Sequence, residues 1–159
     1  MYKKLFVPVD GGAQSERAMQ ASIALARQLG AAITGFVVEP DVPLPFLGGT
    51  MDGSMEGKTA GAMKAYEAAS TRHIERTDAH ARAILTRFEQ LAAEAGVSFS
   101  GLHARTDGVD RAIIEQAQNS GCDMIVMLTH GWGSWGELLF GSHTKQVLAQ
   151  TSLPLLVLH

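Results

Sequence analysis

Between Thr129 and Ser142 the chain reads THGWGSWGELLFGS, with four glycines and two tryptophans in fourteen residues. A glycine-rich turn between a strand and a helix lets backbone N–H groups approach an anion closely. The helix that follows adds the positive end of its dipole. Ser142, where that helix starts, can cap it or donate its hydroxyl to a phosphate. Tryptophan is foreign to the usual composition of such loops. The residues alone therefore leave two readings level: a phosphate-binding loop, or a tight turn under an apolar lid made by Trp132. A second group sits near the start of the chain. Asp10-Gly11-Gly12 follows the apolar run Leu5–Val9, and an ionised carboxylate there is acceptor-only, suited to ribose hydroxyls.

Other chemistries are excluded by spacing. No Gly-Lys-Ser/Thr occurs, so the loop is not of the Walker A type, and no G-x-G-x-x-G follows the first strand. Ser15, Ser134 and Ser142 lack the G-x-S-x-G setting of a hydrolase nucleophile. Of the six histidines, His73 and His80 share a helical face but stand about 10 Å apart, too far for one metal ion. Magnesium or manganese could still arrive with a nucleotide. Arg72, Arg76, Arg82 and Arg87 alternate with acids and form a solvated face rather than a nucleic-acid patch. The net charge of −3 implies no general attraction to nucleic acid either. No window approaches the ~20 apolar residues of a membrane helix. Cys122 is the only cysteine, which excludes an internal disulfide and suits a reducing cytoplasm. It precedes an apolar strand and reads as packing. MYKKLFVPVD is too short for a signal peptide and reads as a first strand.

The elements that would position these groups follow from periodicity. Apolar runs at Leu5–Val9, Ala32–Val38, Met124–Leu128 and Leu153–His159 have the form of buried parallel strands, and Ser98–Ala104 alternates and is less buried. Ala18, Ala21, Ser22, Leu25, Ala26 and Leu29 make one helical face, ended by Gly30. Residues 39–62 hold three of the five prolines and are expected to be a mobile loop. A helix from about Met63 carries the stripe Ala81, Ile84, Leu85, Phe88, Leu91, Ala92, Ala95 and is closed by Gly96. Asp107 or Asp110 can cap a helix bearing Val109, Ala112, Ile113 and Ala117, which Gly121 ends. A last helix spans about Ser142–Gln150. Strand alternating with helix, with right-handed crossovers, predicts a single domain over 1–159. Its parallel five-stranded sheet has the order 3-2-1-4-5 and helices on both faces. Ligands in such sheets sit at the carboxyl ends of strands, where the order switches.

The segments VPVDGG, SERAM, FVVEP, CDMIVMLTHG, LLFGS and LPLLVLH together resemble the universal stress protein family over essentially the whole chain. In the family's ATP-binding branch the loop reads G-x-x-G-x9-G-S/T. Here Gly131, nine residues, Gly141 and Ser142 fit that pattern, and Leu128 stands in the place of the first glycine. A leucine pointing into the site would meet the ribose, whereas one pointing into the core would leave its backbone available. The resemblance implies a Rossmann-like fold of the adenine nucleotide alpha hydrolase type. It also implies ATP or AMP held by Pro8, Val9, Asp10, Val37, Thr129, His130, Gly131, Gly141, Ser142 and His143, with the backbone near Val37 selecting adenine. His130 is expected to shape the turn, and no residue is expected to be catalytic beyond slow ATP hydrolysis. A stress-response role in the cytoplasm and a homodimer through Leu155–Leu158 are implied as well. The apolar edge strand argues for that dimer independently. A family branch that binds no nucleotide and works through protein contacts is the alternative. A pyrophosphatase or adenylating enzyme is disfavoured by the missing Ser-Gly-Gly-x-Asp-Ser loop and the absence of a substrate domain.

Overall fold

The computed structural model describes residues 2–12, 15–42, 56–128 and 142–158. The elements run β1 (Lys4–Pro8), α1 (Ser15–Leu29), β2 (Ala32–Glu39), α2 (Glu56–Glu94), β3 (Phe99–Arg105), α3 (Val109–Asn119), β4 (Met124–Leu128), α4 (Ser142–Gln150) and β5 (Leu155–Leu158). The five strands form one sheet in the order β3-β2-β1-β4-β5, and every pairing is parallel. This is the expected topology. From β1 the chain moves outward through β2 to β3, then returns to the other side of β1 for β4 and β5. A right-handed crossover that reverses direction must change face. Accordingly, α1 and α2 cover one face, where Leu5, Val7, Ile33, Val37 and Val126 meet Met19, Ile23, Ala81, Ile84 and Phe88. The opposite face buries Phe6, Phe36, Ile125 and Met127 against Ala112, Ile113, Ala117 and Val147 of α3 and α4.

One construction closes the lower end of the sheet three times. Gly30, Gly96 and Gly121 take φ of 62, 70 and 66°, the left-handed region where a Cβ is costly. At each, the glycine N–H donates back to Arg27, Ala93 or Gln118, and the next residue's N–H donates to Ala26, Ala92 or Ala117. That pair of bonds is the Schellman motif. The residue after each glycine (Ala31, Val97, Cys122) is buried, as is the alanine five before it. The sequence signature is Ala-x-x-x-Gly-apolar, and a strand follows each time. Asp123 adds a tether, since its two carboxylate oxygens accept the N–H groups of Lys3 at 2.7 Å and Lys4 at 3.2 Å.

Two local expectations are corrected. Helix α2 begins at Glu56 rather than near Met63, and β2 runs through Glu39. The expected 39–62 loop is thereby shortened at both ends, and its stretch 43–55 lies outside the described residues. The first turns of α2, EGKTAGA, carry no apolar stripe, so periodicity is silent there. Helix α3 is capped at Gly108 without a side-chain bond, not by Asp107 or Asp110. Thr106 Oγ1 accepts the Gly108 N–H at 3.1 Å, and the Asp107 carboxylate is taken by the N–H of Asp41 at 3.1 Å. Asp110 instead lies in the first turn, where its charge complements the helix dipole.

Candidate functional site

The switch point lies between β1 and β4, at the carboxyl ends of their strands. Strand β1 ends at Pro8 opposite Phe36, and the Val9 N–H donates to the Phe36 carbonyl at 2.9 Å. The side chains of Val9 and Val37 are buried in the core, so each offers the upper end only its backbone. The register decides which way that backbone faces. Ala32 and Phe36 bond toward β1, whereas Ile33 and Glu39 bond toward β3. Peptide groups of a parallel strand alternate sides. Those of Val37 therefore face β3, where Val37 is paired with His103. Those of Val38 face the β1 side, beyond the last β1 pair.

Asp10 organises the turn that follows. Its Oδ1 accepts the Gly12 N–H at 2.8 Å and the Ser15 hydroxyl at 2.8 Å, tying the turn to the first residue of α1. Gly11 has φ 74°, and a Cβ there would stand 2.6 Å from Ile84 Cδ1 and 3.1 Å from His80 Nε2. Helix α2 thus lies directly against this loop.

Leu128, the last residue of β4, pairs with Leu158 and packs against the α1/α2 core. Helix α4 starts on the opposite face, where Val147 is fully buried and Thr144 is 4% exposed. The leucine side chain is thus turned away from the face on which α4 begins. His143 is exposed in the first turn of α4, with Nδ1 3.8 Å from Asp110 Oδ1, so the starts of α3 and α4 converge. The structure gathers Pro8, Val9, Asp10 and the Val37–Val38 backbone at one end of the sheet, together with the start of α4 at Ser142. Thr129, His130, Gly131, Trp132, Trp135 and Gly141 lie outside the described residues.

Sequence reasoning missed a polar cluster beside this end. Glu39, only 8% exposed, faces His80 of α2, with Oε1 2.9 Å from Nδ1. Arg105 donates to Asp78 Oδ1 at 2.6 Å and to Thr77 Oγ1 at 2.7 Å, and His103 Nε2 lies 3.4 Å from the same Asp78 oxygen. One signal was present: His80 stands four residues before Ile84, the spacing that continues through Phe88 and Ala92, so it lies at the half-exposed end of that row. Among the described residues no group of three or more His, Cys, Asp or Glu side chains is placed to hold a metal ion, and no helix is long and apolar enough to cross a membrane.

These features define an open, doubly wound α/β protein whose strand order reverses between β1 and β4. The Universal stress protein family profile matches residues 1–159, and the chain belongs to that family. It is 28% identical over 158 residues to a universal stress protein of Thermus aquaticus, covering 99% of this chain and 98% of that one. A solved universal stress protein in complex with cAMP superposes with a TM-score of 0.65 at 18% identity, over 99% of this chain and 97% of the other. The universal stress protein from Archaeoglobus fulgidus in complex with dAMP gives 0.56 at 18% identity, over 99% and 98%.

Proposed function

We propose that this protein binds an adenine nucleotide, ATP or AMP, at the switch point between β1 and β4, and acts in a stress response by holding it with little or no turnover. The base lies past the end of β1, against the Val37–Val38 backbone. The ribose lies near Asp10 and its turn, and the phosphates take the N–H groups of the loop and of the start of α4, through Gly131, Gly141, Ser142 and His143. A magnesium or manganese ion that accompanies the nucleotide would offset phosphate charge.

The observation that carries this reading is the direction of Leu128. The one departure from the family's loop pattern packs against the α1/α2 core, the orientation that leaves its backbone available. The ligands of two neighbours, cAMP and dAMP, differ in sugar and phosphate and share adenine. That supports recognition through the base. Calorimetry with ATP and AMP tests the reading. Gly131→Val and Gly141→Val are each expected to abolish binding while the fold is kept, and Leu128→Gly is expected to leave affinity unchanged or improved. Retained affinity in both valine variants removes the phosphate loop from the reading.

The protein further assembles as a homodimer through β5. Leu155–Leu158 forms the sheet edge beyond β4, and all four residues are partly exposed. An unpaired apolar edge invites pairing, and the same strand of a second copy satisfies it about a two-fold axis. Light scattering on the wild type and on Leu156→Pro/Val157→Lys checks this. A monomeric wild type at micromolar concentration removes the dimer, and a folded, dimeric double variant moves the interface elsewhere.

A further inference from the structure

The Glu39–His80 pair touches the proposed pocket from the α2 side and is explained by nothing above. Its carboxylate is buried and its imidazole is not: the side chains are 11% and 54% exposed. Burying a carboxylate is unfavourable unless a partner satisfies it, and a helix–strand contact at this position needs only an apolar residue. A carboxylate at neutral pH has no proton to give, so Nδ1 must carry the hydrogen of the 2.9 Å bond. In the neutral ring Nε2 then bears the lone pair and is an acceptor. That nitrogen is held beside Gly11, the residue after Asp10, at the end of the sheet where the Val38 peptide faces the β1 side beyond the last β1 pair.

We infer that His80, oriented by Glu39, is a specificity-determining residue of the nucleotide pocket, its Nε2 accepting a hydrogen bond from the exocyclic amine of the base. The inference rests on the adenine-nucleotide reading. Gly11 contributes by having no side chain, which lets the imidazole stand against the loop. Glu39 is a positioning residue and makes no contact with the ligand. It selects the tautomer and the ring angle.

The test compares AMP with purine riboside monophosphate, which lacks only the amine. Binding is measured by calorimetry at about pH 8, above the ordinary imidazole range. The wild type is expected to prefer AMP roughly ten-fold, the worth of one well-placed hydrogen bond. His80→Ala is expected to bind both ligands equally. His80→Gln, whose amide oxygen is again an acceptor, is expected to recover part of the preference. Glu39→Gln, which permits either tautomer, is expected to lose most of it. Thermal unfolding of each variant separates this role from a structural one. If His80→Ala keeps the preference for AMP, or weakens both ligands equally while destabilising the fold, the pair is a helix–strand staple and the inference fails alone. If the wild type binds neither nucleotide, the proposed function fails with it.

Discussion

The two ends of the sheet are built on different principles. At the lower end, where chain enters β2, β3 and β4, one solution is repeated: a buried alanine, a left-handed glycine and an apolar residue, closed each time by the same pair of backbone bonds. Among the described residues of the upper end no solution repeats. Contacts there are made by side chains, through Asp10 on Gly12 and Ser15, Glu39 on His80, and Arg105 on Asp78. Backbone closure depends on few side chains and serves the fold. Side-chain closure leaves polar groups at the surface with directional bonds, which is what a ligand can use. Stability is thus expected to be concentrated below, and recognition above.

The severest way to break this comparison is Ala92→Asp. Ala92 has no solvent exposure, and an unpaired carboxylate there is expected to remove about 3 kcal/mol or more. Urea unfolding measures it. A loss under about 1 kcal/mol means the lower end is less tightly closed than its bonds suggest. Gly11→Ala is next, and it compares the ends directly with Gly121→Ala. Both glycines have positive φ. At Gly121 an added Cβ meets nothing within 4 Å, whereas at Gly11 it meets Ile84 Cδ1 at 2.6 Å. Backbone strain alone predicts about 1–2 kcal/mol for Gly121→Ala. Overpacking raises the Gly11→Ala cost to roughly 2–4 kcal/mol. Equal losses in the two variants would show that Ile84 yields freely.

Asp123→Ala strips the acceptor from the N–H groups of Lys3 and Lys4. It is expected to cost about 1–2 kcal/mol and to leave nucleotide affinity unaltered, so a matched change in binding would couple the two ends. The smallest effect belongs to Glu16→Gln. Arg87 bonds the Glu16 carboxylate, and that hydrogen bond, then the charge attraction, raises the guanidinium pKa above its usual value. A folded pKa raised from an already high value stabilises at neutral pH, where the carboxylate is ionised, and on the alkaline side that contribution is lost only as pH rises through it, beyond any working range. The pair is exposed, so the variant's melting curve should overlay the wild type across neutral pH, and a resolved shift refutes that.

The lower end was the legible one. Gly30, Gly96 and Gly121 each end a periodic helix before an apolar run, so three boundaries and the strand order followed from local rules. At the upper end the turn at Asp10 was legible, because glycine and aspartate carry turn chemistry in their identity. Glu39 and His80 escaped, since a contact across 41 residues depends on strand register and helix rotation together. The odd residues of β2, Val37 among them, face β3, a parity that no single sequence displays. The early start of α2 escaped for a different reason: a helix without an apolar stripe offers no period to read.

Strand β1 lies at the centre of the sheet, and its second flank is filled by β4, where Leu5 pairs with Met124. During synthesis β1 emerges well before its partner for that flank, since the end of β4 at Leu128 lies 120 residues beyond the end of β1 at Pro8. At ribosomal speeds of ~5–20 residues per second, the apolar Leu5-Phe6-Val7 edge waits on the order of 6–24 s for its neighbour. Central placement of the first strand therefore leaves one of its edges unpaired for that interval. A substitution that slowed elongation through α2 or α3 would be felt as aggregation of the nascent chain, even if the finished protein were untouched.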